Sequence, residues 1–209
     1  MDVAIPIFDR ITALDAVGPY EVLSRLPGAA VTFVAIEPGP KRTENGMLAL
    51  TADRALVDLP HPDVIVVPGG FGTRALLGEE RILAWLREAH AHSTWTTSVC
   101  TGSLLLAAAG ILDGLEATTH WMAMDVLAEQ GAIPVSRRIV EQGKVMTAAG
   151  VSAGIDMALL LASRIAGERL ARGIQLGIEY DPDPPFPGGS PASSPPEIVD
   201  LVRRHLELA

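Results

Sequence analysis

Residues 95–114 read W-T-T-S-V-C-T-G-S-L-L-L-A-A-A-G-I-L-D-G. The β-prone run at 95–99 meets the chain's one cysteine, Cys100, and the small residues at 101–103 lead into an apolar run that a helix can use. This pattern predicts a strand, a sharp turn and a helix, with Cys100 at a nucleophile elbow. N–H groups at a helix N-terminus favour a thiolate, so we expect a lowered pKa for the thiol. A buried, inert cysteine is the alternative.

Short apolar runs alternate with amphipathic stretches along the rest of the chain, which is typical of an α/β fold with a mainly parallel sheet. We predict a flavodoxin-like sheet with helices on both faces. The predicted strands are 3–7, 30–36, 64–67 and 95–99, with hairpins turning at Asn45-Gly46 and Gly143. The predicted helices include one with Pro19 in its first turn and others at 82–92, 122–130, 151–165 and 170–178.

Length and charge restrict the class of protein. The 209 residues suit a single domain, 1–209, that ends in a proline-rich arm at 181–196 and a closing helix at 197–209. Ile198, Leu201, Val202 and Leu206 are expected on the inner side of that helix. A net charge of −9 argues against nucleic acid as a partner. With no apolar run of membrane-spanning length and no signal peptide, a cytoplasmic protein without membrane contact is expected.

Two further segments should share the sheet edge that holds Cys100. Asp15 follows the first strand, and a carboxyl beside a thiol can act as a general acid or base. A helix cap is an equally good reading of Asp15. Gly69 and Gly70 follow the 64–67 strand and could offer backbone N–H groups to a ligand, although the pattern alone favours an ordinary tight turn.

The remaining polar candidates are less distinctive. Thr101 could bind a water or a carboxyl, or simply cap the helix. His120 could serve as a base for Cys100, but a capping role at the helix near residue 122 is favoured. The pair His205 and Glu207 lies in a helical pattern, where i and i+2 do not share a face, so we reject it as catalytic. His90 and His92 have no further nearby ligands in the sequence, so no metal site is expected.

Several motifs together resemble the ThiJ/PfpI superfamily of class I glutamine amidotransferase-like folds, over essentially the whole chain. The resemblance rests on D-A-V-G-P-Y-E-V (15–22), P-G-G (68–70), S-V-C-T-G (98–102), A-T-T-H-W (117–121), T-A-A-G-V-S-A-G-I-D (147–156) and I-E-Y-D-P (178–182). The branch that this chain resembles most is the isonitrile hydratases, which pair a catalytic cysteine with an aspartate and a threonine. The matching positions here are Cys100, Asp15 and Thr101.

The resemblance implies hydration of a small neutral isonitrile to an N-substituted formamide through a thioimidate on Cys100, with Asp15 as general acid and base and no cofactor or metal. It also implies a homodimer. The substrate-binding residues expected are Gly69, Gly70, Val17, Phe71, His120, Trp121 and Val151. Alternatives are a ligand-binding or redox-sensing protein of the same fold, or a glyoxalase- or amidase-type cysteine enzyme. Thr101 stands where protease-like members carry histidine, and Asp15 stands where deglycase-like members carry glutamate.

Overall fold

A computed structural model describes residues 1–207, with side chains described through residue 204. The described chain carries eleven strands and eight α-helices, and it divides into a large unit, Met1–Ile178, and a small one that begins at Glu179. The strands are β1 Asp2–Pro6, β2 Ala30–Ala35, β3 Gly39–Arg42, β4 Ala49–Ala52, β5 Arg54–Ala55, β6 Val64–Val67, β7 Trp95–Val99, β8 Glu116–Ala117, β9 Ile133–Pro134, β10 Ile139–Gln142 and β11 Val145–Ala148. The helices are α1 Ala13–Leu23, α2 Thr73–Leu76, α3 Glu80–His92, α4 Gly102–Ala108, α5 Met124–Glu129, α6 Ala153–Ala166, α7 Glu168–Gly177 and α8 Pro196–Glu207.

Seven strands form the central sheet of the large unit, in the order β10-β11-β7-β6-β1-β2-β5. Neighbouring strands are parallel except for the antiparallel hairpin β10–β11. The four residues of β6 are all buried, as a continuous apolar run predicts for a central parallel strand. The strand order reverses beside β1, and ligands of such sheets bind at the carboxyl ends of the strands at this switch point. The predicted flavodoxin-like α/β class is confirmed.

Helices pack around the sheet in two groups, since α1 contacts α6 while α4 contacts α2, α3 and α5. Two of the wrongly predicted helix starts have a clear physical reason. Helix α1 begins at Ala13, so Pro19 lies inside it, where it cannot donate a hydrogen bond to the carbonyl of Asp15. Helix α6 begins at Ala153 and not at Val151, because Val151 has a φ of +27°, which no right-handed helix accommodates.

The small unit holds a largely exposed, irregular segment from Tyr180 to the start of α8. Ile198 and Leu201 of α8 are 46% and 55% exposed, so the expectation that they face inward is wrong. The last buried apolar side chain among residues 1–204 is that of Ile174, and the polar, proline-rich arm gives α8 no core of its own. The side chains of Leu206, His205 and Glu207, and residues 208–209 of the predicted closing helix, lie outside the described residues. That 1–209 forms one domain stays a prediction.

No helix among residues 1–207 has the length and apolar character needed to cross a membrane.

Candidate active site

Three segments meet at the carboxyl ends of the adjacent strands β1, β6 and β7. Asp15 lies in the first turn of α1 beyond β1, Gly69 and Gly70 follow β6, and Cys100 follows β7. The fold therefore brings together, at the switch point, the polar groups that the sequence assigned to one sheet edge.

Cys100 occupies a strained elbow between β7 and α4. Its φ is +56°, and a residue with a Cβ in this region costs of order 1–3 kcal/mol. Its N–H is shared between the carbonyls of Ala148 and Ala149, at 3.1 and 3.0 Å. A Cβ on Gly102 would lie 2.0 Å from the carbonyl oxygen of Val67, so only glycine allows α4 to start this close to β6. The predicted sharp turn from strand to helix at Cys100 is confirmed.

The surroundings of the Cys100 sulfur contradict the expected low pKa. Cys100 is only 5% exposed, and burial, followed by the charge of Asp15, raises the pKa of the thiol well above its usual range. The N–H groups of Val151 and Thr101 act in the opposite direction but are outweighed. A helix N-terminus stabilises a thiolate, yet here desolvation and a neighbouring carboxylate dominate. Cys100 therefore needs a base to lose its proton.

The carboxyl of Asp15 is the neighbouring group that can accept this proton. Asp15 is fully buried, and Oδ2 accepts a 2.9 Å hydrogen bond from the N–H of Gly69. Burial raises the pKa of its carboxyl to about 7, while the Gly69 N–H and the Cys100 side chain oppose the rise and Glu44 adds to it. The carboxyl thus exchanges a proton near neutral pH. The N–H of Gly69 holds Oδ2, whereas Oδ1 has no hydrogen-bond partner among the described residues.

The capping role considered for Asp15 is wrong. Thr12 is the N-cap residue of α1, and the side chain of Asp15 bonds to Gly69 in another loop. The carboxyl therefore links α1 to the turn after β6.

Gly69 lies at a point of very close approach. A Cβ on it would lie 2.5 Å from the backbone nitrogen of Thr101, 2.7 Å from Thr101 Oγ1 and 2.9 Å from Asp15 Oδ2. No side chain fits among these three atoms, so glycine is required if Asp15 and Thr101 are to keep their positions.

Thr101 is joined to the neighbouring glycine in both directions. Its Oγ1 accepts a hydrogen bond from the Gly70 N–H at 2.9 Å and donates one to the Gly70 carbonyl at 3.2 Å. Thr101 is the N-cap residue of α4, but its hydroxyl makes no capping bond. The N–H groups of Gly69 and Gly70 are thus engaged by Asp15 and Thr101, so neither is a free donor for a ligand in this arrangement.

His120 takes the capping role that the sequence favoured. Its Nδ1 accepts a 3.3 Å hydrogen bond from the N–H of Met122, at the start of a 3-10 turn. Nδ1 is therefore an acceptor, and in the neutral ring the proton lies on Nε2. Burial, followed by the charge of Arg74, lowers the pKa of His120. Among the described residues His120 makes no hydrogen bond to Cys100, so the structure favours a wall of the site over a base.

The apolar candidates are half-buried, as walls of a small pocket would be. Val17 lies in α1 two residues beyond Asp15, and the ring of Trp121 lies 5.7 Å from that of His120. The guanidinium groups of Arg10 and Arg74 lie 5.5 and 5.1 Å from the centre of the Phe71 ring.

Comparison with known proteins shows the family of this chain. A model of the DJ-1/PfpI family matches residues 1–164. The chain belongs to the DJ-1/PfpI family.

Individual relatives agree with this assignment. The isonitrile hydratase of Pseudomonas putida is 43% identical over 204 residues, which cover 98% of this chain and 89% of that protein. The crystal structure of a ThiJ/PfpI family protein from Pseudomonas syringae matches with a TM-score of 0.94 at 35% identity, over 99% of this chain and 86% of that one. The HTH-type transcriptional regulator CdhR of Pseudomonas aeruginosa is 33% identical over 172 residues, 80% of this chain and 50% of the regulator. The resemblance drawn from the sequence motifs is confirmed.

One feature of this DJ-1/PfpI site was not predicted from the sequence. Val151 was expected only as a pocket wall, but its N–H interacts with the Cys100 sulfur and its φ of +27° is strained for a β-branched residue. A signal for it existed, because β11 is parallel to β7 and the residues after β11 must reach the same edge of the sheet.

Proposed function

We propose that this chain hydrates small, neutral isonitriles to N-substituted formamides, with Cys100 as nucleophile and Asp15 as general acid and base. The observation that carries the proposal is the buried pair itself: a thiol that needs a base lies beside a carboxyl that exchanges its proton near pH 7. The similarity to an isonitrile hydratase over 98% of the chain supports the substrate class.

In the first step the Cys100 thiol adds to the terminal carbon of R–N≡C. Asp15, as carboxylate, takes the thiol proton while Sγ forms a bond to the carbon, and one C–N π bond is lost. Asp15 then passes the proton to the same carbon. The product is a thioimidate, R–N=CH–S–Cys100. A soft sulfur nucleophile suits the isonitrile carbon, and the raised thiol pKa makes proton removal by Asp15 part of the step.

In the second step water adds to the thioimidate carbon. Asp15 accepts a water proton and supplies one to the nitrogen, which gives R–NH–CH(OH)–S–Cys100. Asp15 then takes the hydroxyl proton as the C–S bond breaks, and returns it to the departing sulfur. The formamide R–NH–CHO leaves and the starting thiol is restored. Thr101, held against Gly70 within this site, would help to position the water.

The surroundings fit a small substrate of low polarity. Val17, Phe71, Trp121 and Val151 are the proposed walls, with His120 and the turn of Gly69 and Gly70 completing the site. The mechanism requires no organic cofactor. Homodimerisation and a cytoplasmic location stay predictions.

The test is turnover of phenyl isonitrile by the purified chain, with N-phenylformamide as the measured product. We expect turnover in the wild type and none in Cys100→Ala. If the folded wild type produces no formamide, the proposal fails. Turnover of methylglyoxal in its place would then favour the glyoxalase alternative, and a bound ligand without turnover the sensor alternative.

A further inference from the structure

A second cluster of reactive side chains lies on the exposed surface, apart from the Cys100 site. His61 precedes β6, while Glu88 and His92 lie one turn apart near the end of α3. His61 Nε2 is 2.8 Å from Glu88 Oε1, and His92 Nδ1 is 3.5 Å from the same oxygen. One ligand atom from each of the three side chains lies within 4.8 Å of the other two.

The segment that carries His61 is anchored at both ends. The indole N–H of Trp85, in α3, donates a 3.0 Å hydrogen bond to the carbonyl of Leu59. The carbonyl of Asp63 accepts a 2.8 Å bond from the N–H of Thr94, just before β7. Pro60 and Pro62 flank His61, and each proline fixes its own φ. The imidazole is therefore presented to α3 from a backbone with little freedom, which lowers the entropic cost of binding a ligand there.

We propose that His61, Glu88 and His92 form a surface site for a divalent transition-metal ion, with Zn²⁺ as the reference ion. Two imidazoles and one carboxylate are a donor set that zinc accepts, and three protein ligands leave a position for water. The imidazole rings lie face to face, with centroids 3.9 Å apart and planes inclined by 31°. Each ring brings a nitrogen within 3.5 Å of the same carboxylate oxygen, Oε1 of Glu88.

Binding would replace contacts that already hold the cluster together. The ion would take the place of the hydrogen bond between His61 and Glu88, and of the 3.0 Å contact between His92 Nδ1 and the Glu88 carbonyl. A bound ion would tie the segment before β6 to α3.

No metal was expected at His90 or His92, on the premise that no further ligand lies near them in the sequence. That premise is wrong for His92, because the fold supplies His61 from 31 residues away and Glu88 from the preceding turn. It holds for His90, whose Nδ1 lies 2.8 Å from Thr96 Oγ1.

The test is calorimetric titration of ZnCl₂ into the untagged full chain carrying Cys100→Ala, which removes the one competing thiol. We expect one zinc per chain. His61→Gln or His92→Gln in the same background should weaken binding at least about tenfold, since loss of a supporting group alone costs about 10- to 100-fold. His90→Gln, two residues before His92 in the same helix, should bind as tightly as the parent.

A stability measurement provides a second readout. Because a ligand of the folded state raises its stability by mass action, zinc should raise the unfolding temperature of the parent and of His90→Gln, but not of His61→Gln. The proposal is overturned if the parent binds no zinc, if His61→Gln and His92→Gln bind it undiminished, or if His90→Gln loses binding to the same extent.

Discussion

The backbone N–H of Gly69 donates a 2.9 Å hydrogen bond to Oδ2 of Asp15, across 54 residues of sequence. This bond fixes one oxygen of a buried carboxyl, while Oδ1 has no hydrogen-bond partner among the described residues. It partly offsets the effect of burial, yet the pKa of Asp15 still lies at about 7. The turn after β6 therefore positions the proposed proton carrier and limits the rise of its pKa that burial causes.

Gly69→Ala should reduce turnover by roughly 10²-fold or more, because a displacement near 1 Å in a catalytic group costs this much. The new methyl would lie under 3 Å from Asp15 Oδ2 and from two atoms of Thr101, so the turn must move. Steady-state formamide production measures the effect. Gly78→Ala is the matched control, since a Cβ there meets nothing within 4 Å and should leave turnover unchanged. Wild-type kinetics in Gly69→Ala would show that the close approach is not needed.

Asp15→Asn should lower kcat by about 10²–10⁴-fold, the range typical of a lost general acid–base group. The amide keeps an acceptor for the Gly69 N–H but cannot carry the thiol proton to carbon. Asp125→Asn, at an exposed aspartate of α5, serves as the control and should retain full activity. An unchanged rate in a folded Asp15→Asn protein would restrict Asp15 to a structural role.

Asp15→Asn should also make the protein more stable relative to wild type as pH rises toward neutrality. The pKa of Asp15 is raised from 3.8 to about 7, so between these values the folded state holds a proton that the unfolded state releases. The wild type therefore loses stability from this group as pH rises toward 7, and Asp15→Asn does not. Between pH 5 and pH 8 the free energy of unfolding of the variant should gain about 1–3 kcal/mol relative to wild type. Urea denaturation at both pH values checks this, and a pH-independent difference would contradict the raised pKa.

Thr101→Val should lower both stability and activity, because valine removes the hydroxyl that bonds to the N–H and the carbonyl of Gly70. The Gly70 carbonyl keeps its hydrogen bonds from Thr73, so only the buried Gly70 N–H is left unpaired, which costs about 1–3 kcal/mol. Thr101→Ser keeps the hydroxyl and should retain most of the activity, which separates loss of the hydrogen bonds from loss of the methyl group. Urea denaturation and formamide production give the two readouts. If the valine and serine variants have the same stability and the same activity, the Thr101 hydroxyl contributes to neither.

Patterns local in sequence predicted most of the fold correctly. The apolar run at Val64–Val67 and the β-prone run at Trp95–Val99 form adjacent parallel strands. Almost all of their residues are buried, as is typical of central parallel strands. The position of Cys100 followed from a strand meeting a helix. Pro19 misled the prediction of α1, since one proline inside a helix is tolerated where packing against α6 stabilises the helix.

The electrostatics and the long-range contacts of the site could not be predicted in the same way. The helix N-terminus suggested a low thiol pKa, but the burial of Cys100 and the charge of Asp15 depend on tertiary packing and reverse the direction. The engagement of the Gly69 N–H by Asp15 also depends on contacts between distant segments. Likewise, nothing near His92 in sequence indicates that His61 lies beside it.

Mass spectrometry of the protein quenched during turnover tests the central claim most directly. Because the thiol adds to the isonitrile without loss of any atom, peptide mapping should find the full mass of the isonitrile on Cys100, and Cys100→Ala should carry no adduct. Unmodified Cys100 at every quench time, while formamide accumulates, would contradict covalent catalysis.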